Sequence, residues 1–142
     1  MEGALESFHG TASKFIQDLV DGKITNDKGS GELGKGFYSG EHLFAAKQWA
    51  HNKHNKSTSV LKLETPDKSV ENLKLLILDY AEASKSRREI KLLQSTQTFE
   101  FKVDMVWAPI VGTSKSVGEQ YKWESQNSMG FLNGNNTKRS KI

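Results

Sequence analysis

The chain has 142 residues, a formal net charge of +3 and no cysteine. Its length suits one domain with a sizeable core, and the lack of cysteine excludes disulfides, thiolate nucleophiles and cysteine-ligated metals. The longest mainly apolar run, residues 73–78, is far shorter than the roughly 20 residues of a membrane helix. The N-terminal residues also lack a signal-peptide profile, so we expect a soluble domain without a membrane partner.

The positive charge is concentrated at the C-terminus. Residues 133–142 contain Lys138, Arg139 and Lys141 and no acid, so subtracting these three from 20 basic residues leaves 17 against 17 acidic residues over 1–132. A neutral body lacks the basic stripe that follows nucleic-acid phosphates. We predict a single domain over residues 1–132 and a basic, disordered tail over residues 133–142. The basic residues between 85 and 91 are interpreted as a solvated helix face.

The first half of the chain predicts two strands and two helices around a glycine-rich loop. Residues 5–11 read as a strand, and apolar positions at helical spacing follow over residues 12–20. Residues 26–36 contain four glycines, which is typical of a mobile or ligand-covering loop. Residues 37–39 predict a strand and residues 41–51 a helix.

The second half predicts mainly short strands around one helix. Residues 57–63 alternate and end before Pro66, whereas residues 72–80 fit either a strand or the start of a helix. Residues 81–94 predict a helix, and residues 99–103, 105–111 and 120–125 predict strands. No glycine-rich dinucleotide fingerprint or regular βαβ rhythm occurs, so the fold class is α+β with two small, mostly antiparallel sheets.

Two common kinds of site are not indicated. His42, His51 and His54 lack a carboxylate at a matching offset, so we predict no metal site. No Gly-x-Ser-x-Gly elbow of a serine hydrolase is present.

The residues most suggestive of a ligand pocket are His9-Gly10-Thr11 and the stretch from Gly34 to Gly40. Glycines allow the backbone to approach a ligand closely, and Tyr38 offers a ring face and a hydroxyl. The alternative interpretation is an ordinary turn beside a half-buried histidine. We predict that the two stretches form walls of one pocket for a flat ligand.

These motifs, in this order, resemble the ADP-ribosyltransferase superfamily, in the His-Tyr-Glu branch of diphtheria-type toxins and poly-ADP-ribose polymerases. The branch includes small C-terminal toxin domains of bacterial polymorphic toxins. The resemblance continues to Ser125 and is carried by His9-Gly10-Thr11, Gly34-Lys35-Gly36-Phe37-Tyr38-Ser39, a helix with Ala45, Ala46 and Trp49, and the strands from Met105 to Val111 and Glu119 to Ser125.

The resemblance implies a cleft between the sheets that binds NAD as the substrate. His9 would hydrogen-bond a ribose, the backbone of Gly10 would pair with the nicotinamide amide, and Tyr38 would stack on the nicotinamide ring. The remaining NAD-binding positions implied are Thr11, Gly36 and Phe37.

The third catalytic position departs from the family pattern, because the residue before Tyr121 is Gln120 rather than glutamate. An amide can hold a ribose hydroxyl but supplies no charge to an oxocarbenium-like transition state. Gln120 is the favoured equivalent, and Glu119 is the alternative if a bulge precedes the strand. Glu124 shares the face of Gln120. An inactivating Glu→Gln change would look the same.

The implied function is a mono-ADP-ribosyltransferase toxin or effector domain that transfers ADP-ribose to a macromolecular target, with protein favoured over nucleic acid. The resemblance also implies delivery into the cytoplasm of a target cell, as in bacterial competition, and a cognate immunity protein. The alternatives are an NAD glycohydrolase toxin, a catalytically inactive binding module and an α+β domain without a ligand. The acceptor loop would be residues 112–118, whose sequence does not indicate the acceptor.

Overall fold

The computed structural model describes residues 3–27, 29–54, 57–112 and 118–142, without the side chain of His54. Over these ranges the chain is α+β, with one mixed seven-stranded sheet, one two-stranded hairpin and five α-helices. The strands are β1 (Ala4–Ala12), β2 (Ser30–Gly31), β3 (Gly34–Lys35), β4 (Phe37–Gly40), β5 (Thr58–Pro66), β6 (Leu75–Ile77), β7 (Met105–Pro109), β8 (Glu119–Trp123) and β9 (Lys138–Lys141). The helices are α1 (Ile16–Val20), α2 (Leu43–His54), α3 (Asp67–Glu71), α4 (Tyr80–Leu92) and α5 (Gln126–Asn133).

The large sheet has the strand order β6-β7-β8-β4-β1-β5-β9. Among the described pairs only β6 and β7 run parallel, so the prediction of mostly antiparallel pairing is confirmed, although one large sheet and a hairpin replace two small sheets. The register brings the ends of three strands together, because Gly40 of β4 lies opposite both Phe8 of β1 and Gln120 of β8. Segments more than 100 residues apart in the chain therefore meet at one point of the sheet.

Each side of the sheet has its own apolar cluster, which follows from the alternation of side chains along a strand. On β7, Met105 belongs to the larger cluster with Leu61 and Trp123, and α1 and α5 cover it. The next residue, Val106, belongs to a smaller cluster with Leu33 and further side chains from β7 and α4. The smaller cluster is the one that borders the candidate site.

Helix α4 has a well-defined start. The carboxylate of Asp79 accepts a hydrogen bond from the Glu82 backbone N–H at 2.8 Å, and the Glu82 carboxylate accepts one from the Asp79 N–H at 3.0 Å. This reciprocal capping box satisfies two backbone donors that a helix start otherwise leaves unpaired. It fixes the helix that carries Arg87 and Lys91.

The glycine-rich stretch is more ordered than the sequence predicted. Residues 30–35 form the hairpin β2–β3, with Glu32 and Leu33 in the turn and Gly34 at a φ of +97°. Leu33 is fully buried in the smaller apolar cluster. The buried leucine explains why this stretch folds against the body, and Lys28, which the predicted loop also included, lies outside the described residues.

The predicted strand over residues 99–103 is wrong. Lys102 has a φ of +63°, a left-handed conformation that breaks a regular strand. The backbone N–H groups of Lys102 and Val103 donate to the carboxylate of Glu124 at 2.6 and 3.4 Å. Because a buried carboxylate takes these donors, they do not form a sheet ladder, and alternation in the sequence gave no sign of this.

The C-terminal residues also differ from the prediction of a disordered tail. Lys138–Lys141 forms β9, which pairs with β5 at the sheet edge. The Arg139 guanidinium donates to the carbonyl oxygens of Leu132 at 2.8 Å, Gly134 at 3.0 Å and Val20 at 3.2 Å. The single arginine of this segment therefore ties β9 to the end of α5 and to α1.

Two further boundaries differ from the sequence analysis. Strand β5 continues through Pro66, which lies opposite Ala4 at the end of the β1–β5 ladder, where a missing N–H is tolerated. The ambiguous stretch over residues 72–80 contains strand β6 and the first residue of α4.

The ranges with described structure contain no helix long and apolar enough to cross a membrane.

Candidate functional site

A cavity of about 620 Å³ opens where β1, β4 and β8 meet. This volume lies within the roughly 300–1,000 Å³ of small-molecule sites. The hairpin β2–β3 and helices α2 and α4 complete its walls. The lining residues come from seven parts of the chain: Phe8, His9 and Gly10; Ser30, Gly31 and Glu32; Tyr38, Ser39 and Gly40; Ala45, Ala46 and Trp49; Arg87, Lys91 and Thr96; Ile110 and Gly112; and Gln120.

The cavity brings together four of the residues singled out from the sequence, namely His9, Gly10, Tyr38 and Gln120. The other candidates, Thr11, Gly36, Phe37 and Glu119, are not among its lining residues. Thr11 is buried within β1, at 6% exposure.

The imidazole of His9 is held in a fixed orientation. Its ring stacks on that of Phe37 with the centroids 4.2 Å apart, which gives Phe37 a packing role behind the cavity wall. His9 Nδ1 donates to the Tyr38 carbonyl oxygen at 2.5 Å. Because a carbonyl oxygen can only accept, Nδ1 carries the proton, and Nε2 is the acceptor of the neutral ring.

Tyr38 is tied to the hairpin by its hydroxyl. The hydroxyl donates to the Gly34 carbonyl oxygen at 2.5 Å and accepts from the Leu33 N–H at 3.2 Å. Burial strongly raises the pKa of Tyr38; the Leu33 hydrogen bond acts in the opposite direction, and the charge of Glu32 adds to the increase. The phenol therefore stays protonated at neutral pH and acts as a tie and a ring surface, not as a base.

Three glycines near the cavity are required by close contacts within the protein. A Cβ at Gly10 would lie 2.1 Å from the Ala46 carbonyl oxygen of α2, and one at Gly31 would lie 2.7 Å from the Tyr38 ring. A Cβ at Gly36 would lie 2.8 Å from the Lys122 side chain, away from the cavity. At Gly10 the close approach in this structure is made by helix α2, whereas the sequence predicted the approach of a ligand.

The side chain of Gln120 points into the cavity wall and is 7% exposed. Its amide nitrogen donates to Glu32 Oε1 at 2.5 Å and to the Pro109 carbonyl oxygen at 3.2 Å. Glu119 lies on the opposite face of β8, where its charge, after burial and the charge of Glu41, helps raise the pKa of Tyr121 to about 12. The regular register of β8 contains no bulge that would turn Glu119 toward the cavity.

Glu124 lies on the same face as Gln120, as the alternation predicted, but it is used elsewhere. Its carboxylate forms an ion pair with Lys122 at 2.7 Å, and the two side chains are 2% and 0% exposed. Burial lowers the pKa of Lys122, and the hydrogen bond and charge of Glu124 act against that decrease. Glu124 is therefore part of a sealed structural pair.

The carboxylate that does reach the cavity belongs to Glu32, a residue that was not predicted from the sequence. Besides Gln120, Glu32 Oε1 accepts from the Val111 backbone N–H at 2.9 Å, and Oε2 lies 3.6 Å from Arg87 Nε. Its side chain is 15% exposed. The available signal was a single acidic residue beside an apolar one, Leu33, within a glycine-rich loop.

Arg87 and Lys91 were also missed, since both were assigned to a solvated helix face. They lie one helical turn apart on α4, and both line the cavity. Trp49 of α2 contributes an indole that is 46% exposed. Among the described residues, the lining of the cavity thus includes two cations, one carboxylate and four residues with an aromatic or imidazole ring.

Neither the protein-family models nor the curated proteins contain a match to this chain.

Proposed function

We propose that the chain binds NAD in this cavity and transfers ADP-ribose from it to a macromolecular acceptor, with release of nicotinamide. The observation that carries the proposal is the meeting of His9, Gly10, Tyr38 and Gln120 at one cavity. These residues were selected for their chemistry from three strands, and their sequence separation exceeds 100 residues. If the resemblance of these short motifs were due to chance, the four residues would not be expected to line the same cavity.

The chemistry of the wall supports an anionic nucleotide as the ligand. Arg87 and Lys91 provide charge for a pyrophosphate. The ring surfaces of Tyr38 and Trp49 suit planar heterocycles. Gln120 and His9 provide polar groups for ribose hydroxyls.

The reaction breaks the bond between C1′ of the nicotinamide ribose and the pyridinium nitrogen. Both electrons of that bond leave with the nitrogen, so the leaving group is neutral nicotinamide and positive charge develops on the ribose. A heteroatom of the acceptor then bonds to C1′ and gives up its proton. The protein must hold the ribose and place negative charge beside C1′ in the transition state.

The first experiment measures nicotinamide release from NAD by the purified protein, with and without a cell lysate as a source of acceptors. A transferase is expected to release nicotinamide faster with lysate and to transfer label from NAD to a discrete product. Slow release that lysate leaves unchanged supports the NAD glycohydrolase. Absence of release in both conditions contradicts both enzyme assignments.

A matched pair of histidine variants tests the site. His9→Ala removes the imidazole of a residue that lines the cavity and that the proposal assigns to a ribose, so it is expected to lower turnover by about 100-fold or more. His51→Ala on α2 is the control, since His51 is exposed and does not line the cavity. Wild-type turnover in a folded His9→Ala variant contradicts the proposed site.

A catalytically inactive binding module is the second candidate, and Gln120 in place of a glutamate is the observation that favours it. Such a module binds NAD without releasing nicotinamide. Calorimetric titration with NAD under conditions where release is measured in parallel separates the two.

We also propose that the domain acts as a delivered toxin with a cognate immunity protein that covers the cavity. Expression in the bacterial cytoplasm is expected to arrest growth, and His9→Ala is expected to relieve the arrest. Growth at the normal rate with active protein present contradicts the toxin assignment.

A further inference from the structure

The cavity contains a carboxylate, but the residue that carries it is not at the position where the sequence placed it. Gln120 occupies the third catalytic position as an uncharged amide. Glu32 lies against it from the hairpin turn, with its Oε1 atom 2.5 Å from the Gln120 amide nitrogen. The third catalytic position requires a negative charge and a hydrogen bond to a ribose hydroxyl. The Glu32 carboxylate can supply the charge, and the Gln120 amide can supply the hydrogen bond.

We propose that Glu32 is the catalytic carboxylate of this site and that Gln120 is its partner in holding the ribose. The assignment rests on the proposed function. Glu32 stabilises the positive charge that develops on the ribose when the C1′–nitrogen bond breaks. As the acceptor heteroatom bonds to C1′, its proton passes to the Glu32 carboxylate and from there to water.

The surroundings of Glu32 hold the carboxylate without sealing it. Leu33, the next residue, is fully buried in the smaller apolar cluster and anchors the turn. The Val111 N–H fixes Oε1 at 2.9 Å. Arg87 approaches Oε2 only to 3.6 Å and is itself 34% exposed, so the charge of Glu32 is balanced at a distance that leaves it available to a second cation.

Gly112 gives independent support, because the space beside it is occupied by this carboxylate. A Cβ at Gly112 would lie 2.2 Å from Glu32 Oε2 and 3.0 Å from Arg87 Nε. A methyl group at residue 112 would therefore displace the carboxylate from the position that it has in this structure. The Glu32 carboxylate is thus largely buried, accepts hydrogen bonds from the Val111 N–H and the Gln120 amide, and lies against Gly112. The fold holds its two oxygens beside the cavity.

The test removes the negative charge from residue 32 and then restores it at residue 120. Glu32→Gln is expected to lower kcat for nicotinamide release by about 100- to 1,000-fold, with NAD affinity changed less than threefold. The double variant Glu32→Gln/Gln120→Glu puts the carboxylate back on the other side of the same hydrogen bond. It is expected to regain at least tenfold over Glu32→Gln.

Glu71→Gln is the matched control, since Glu71 is exposed at the end of α3 and remote from the cavity lining. Activity of Glu32→Gln within threefold of wild type overturns the assignment while leaving the proposed function intact. An exchange variant no more active than Glu32→Gln also overturns it, because the loss then arises from disturbed hairpin contacts and not from missing charge. A wild-type protein that neither binds NAD nor releases nicotinamide removes the proposed function and this assignment with it.

Discussion

Gln120 and Lys122 lie on one face of β8, and each forms a polar pair with a glutamate from outside the strand, in different surroundings. Lys122 and Glu124 meet at 2.7 Å with 0% and 2% exposure, whereas Gln120 meets Glu32 beside an open cavity and Arg87 stands 3.6 Å from the carboxylate. In the sealed pair all charge is balanced internally. In the pair at the cavity the carboxylate keeps access to a ligand.

The difference shows why the position of an acidic residue on a strand face does not by itself indicate a catalytic role. Glu124 and Gln120 share a face, but the carboxylate of Glu124 also accepts the Lys102 and Val103 N–H groups. Because these partners enclose it at 2% exposure, the Glu124 carboxylate contributes to stability. The carboxylate suited to chemistry comes from a different element of the chain.

The largest expected effect is on stability at the sealed pair. Lys122→Met leaves the buried Glu124 carboxylate without its cation and is expected to lower the free energy of unfolding by about 3–5 kcal/mol. Urea unfolding followed by circular dichroism measures the change. Glu32→Gln, at the open pair, is the comparison and is expected to cost about 1 kcal/mol, because glutamine keeps an oxygen that can accept the Val111 N–H and loses about the value of one hydrogen bond.

If Lys122→Met and Glu32→Gln lower the free energy of unfolding by similar amounts, the two pairs do not differ in their contribution to stability. A further variant, Lys122→Met/Glu124→Gln, removes both charges and is expected to recover part of the loss, because no buried charge remains unpaired.

A smaller effect, on activity, is expected at Gly112. The added methyl group of Gly112→Ala would displace Glu32 Oε2, which a Cβ at that position would approach to 2.2 Å. Because the displaced atom is the end of a flexible side chain, the fold should tolerate the change. We expect nicotinamide release to fall about tenfold, or 1.4 kcal/mol, with little change in the melting temperature. Unchanged release would mean that the carboxylate position does not matter to the reaction.

A pH-dependent effect is expected from Asp104, which lies in the loop around the sealed pair and whose carbonyl oxygen accepts the Glu124 N–H. Partial burial acts to raise the pKa of Asp104, but hydrogen bonds from Ser125, the Lys74 N–H and Asn127 lower it below the ordinary 3.8. A lowered folded-state pKa stabilises the protein above pH 3.8, and this contribution is lost as the pH falls through the folded-state value.

Asp104→Asn should therefore be less stable than wild type at pH 7, and the difference should shrink as the pH falls below 3.8. Urea unfolding at a series of pH values measures it. Asp18→Asn is the control because the Asp18 side chain is 63% exposed, and a difference for Asp104→Asn that stays constant with pH would contradict the assignment.

Much of the fold could be predicted because periodic apolar residues mark elements directly. The strand over residues 5–11, the helix over residues 81–94 and the α+β class are confirmed by the structure. The strand over residues 99–103 was wrong because alternation does not report a positive φ or a distant carboxylate that takes the backbone donors. The C-terminal strand was missed because its order comes from Arg139 and from β5.

The candidate site was predictable where it depends on residues in strands and not where it depends on tertiary approach. Tyr38 and Gln120 could be placed on neighbouring walls from their motifs and faces. Glu32 could not, because only the burial of Leu33 turns the hairpin toward Gln120. Arg87 and Lys91 have the spacing of a solvated helix face, and the packing of α4 decides that this face borders the cavity.

The smallest expected effect is a gain in stability at Gly130, a glycine that no close contact requires. Gly130 lies in helix α5, is exposed, and has nothing within 4 Å of a Cβ built on it. Gly130→Ala should raise the free energy of unfolding by about 0.5–1 kcal/mol, because alanine loses less backbone entropy than glycine in a helix. Thermal unfolding should show an increase of roughly 2–4 °C per kcal/mol, with nicotinamide release unchanged. Since Gly112→Ala adds the same methyl group beside Glu32, a loss of activity in both variants would show that the effect at Gly112 is not specific to the carboxylate.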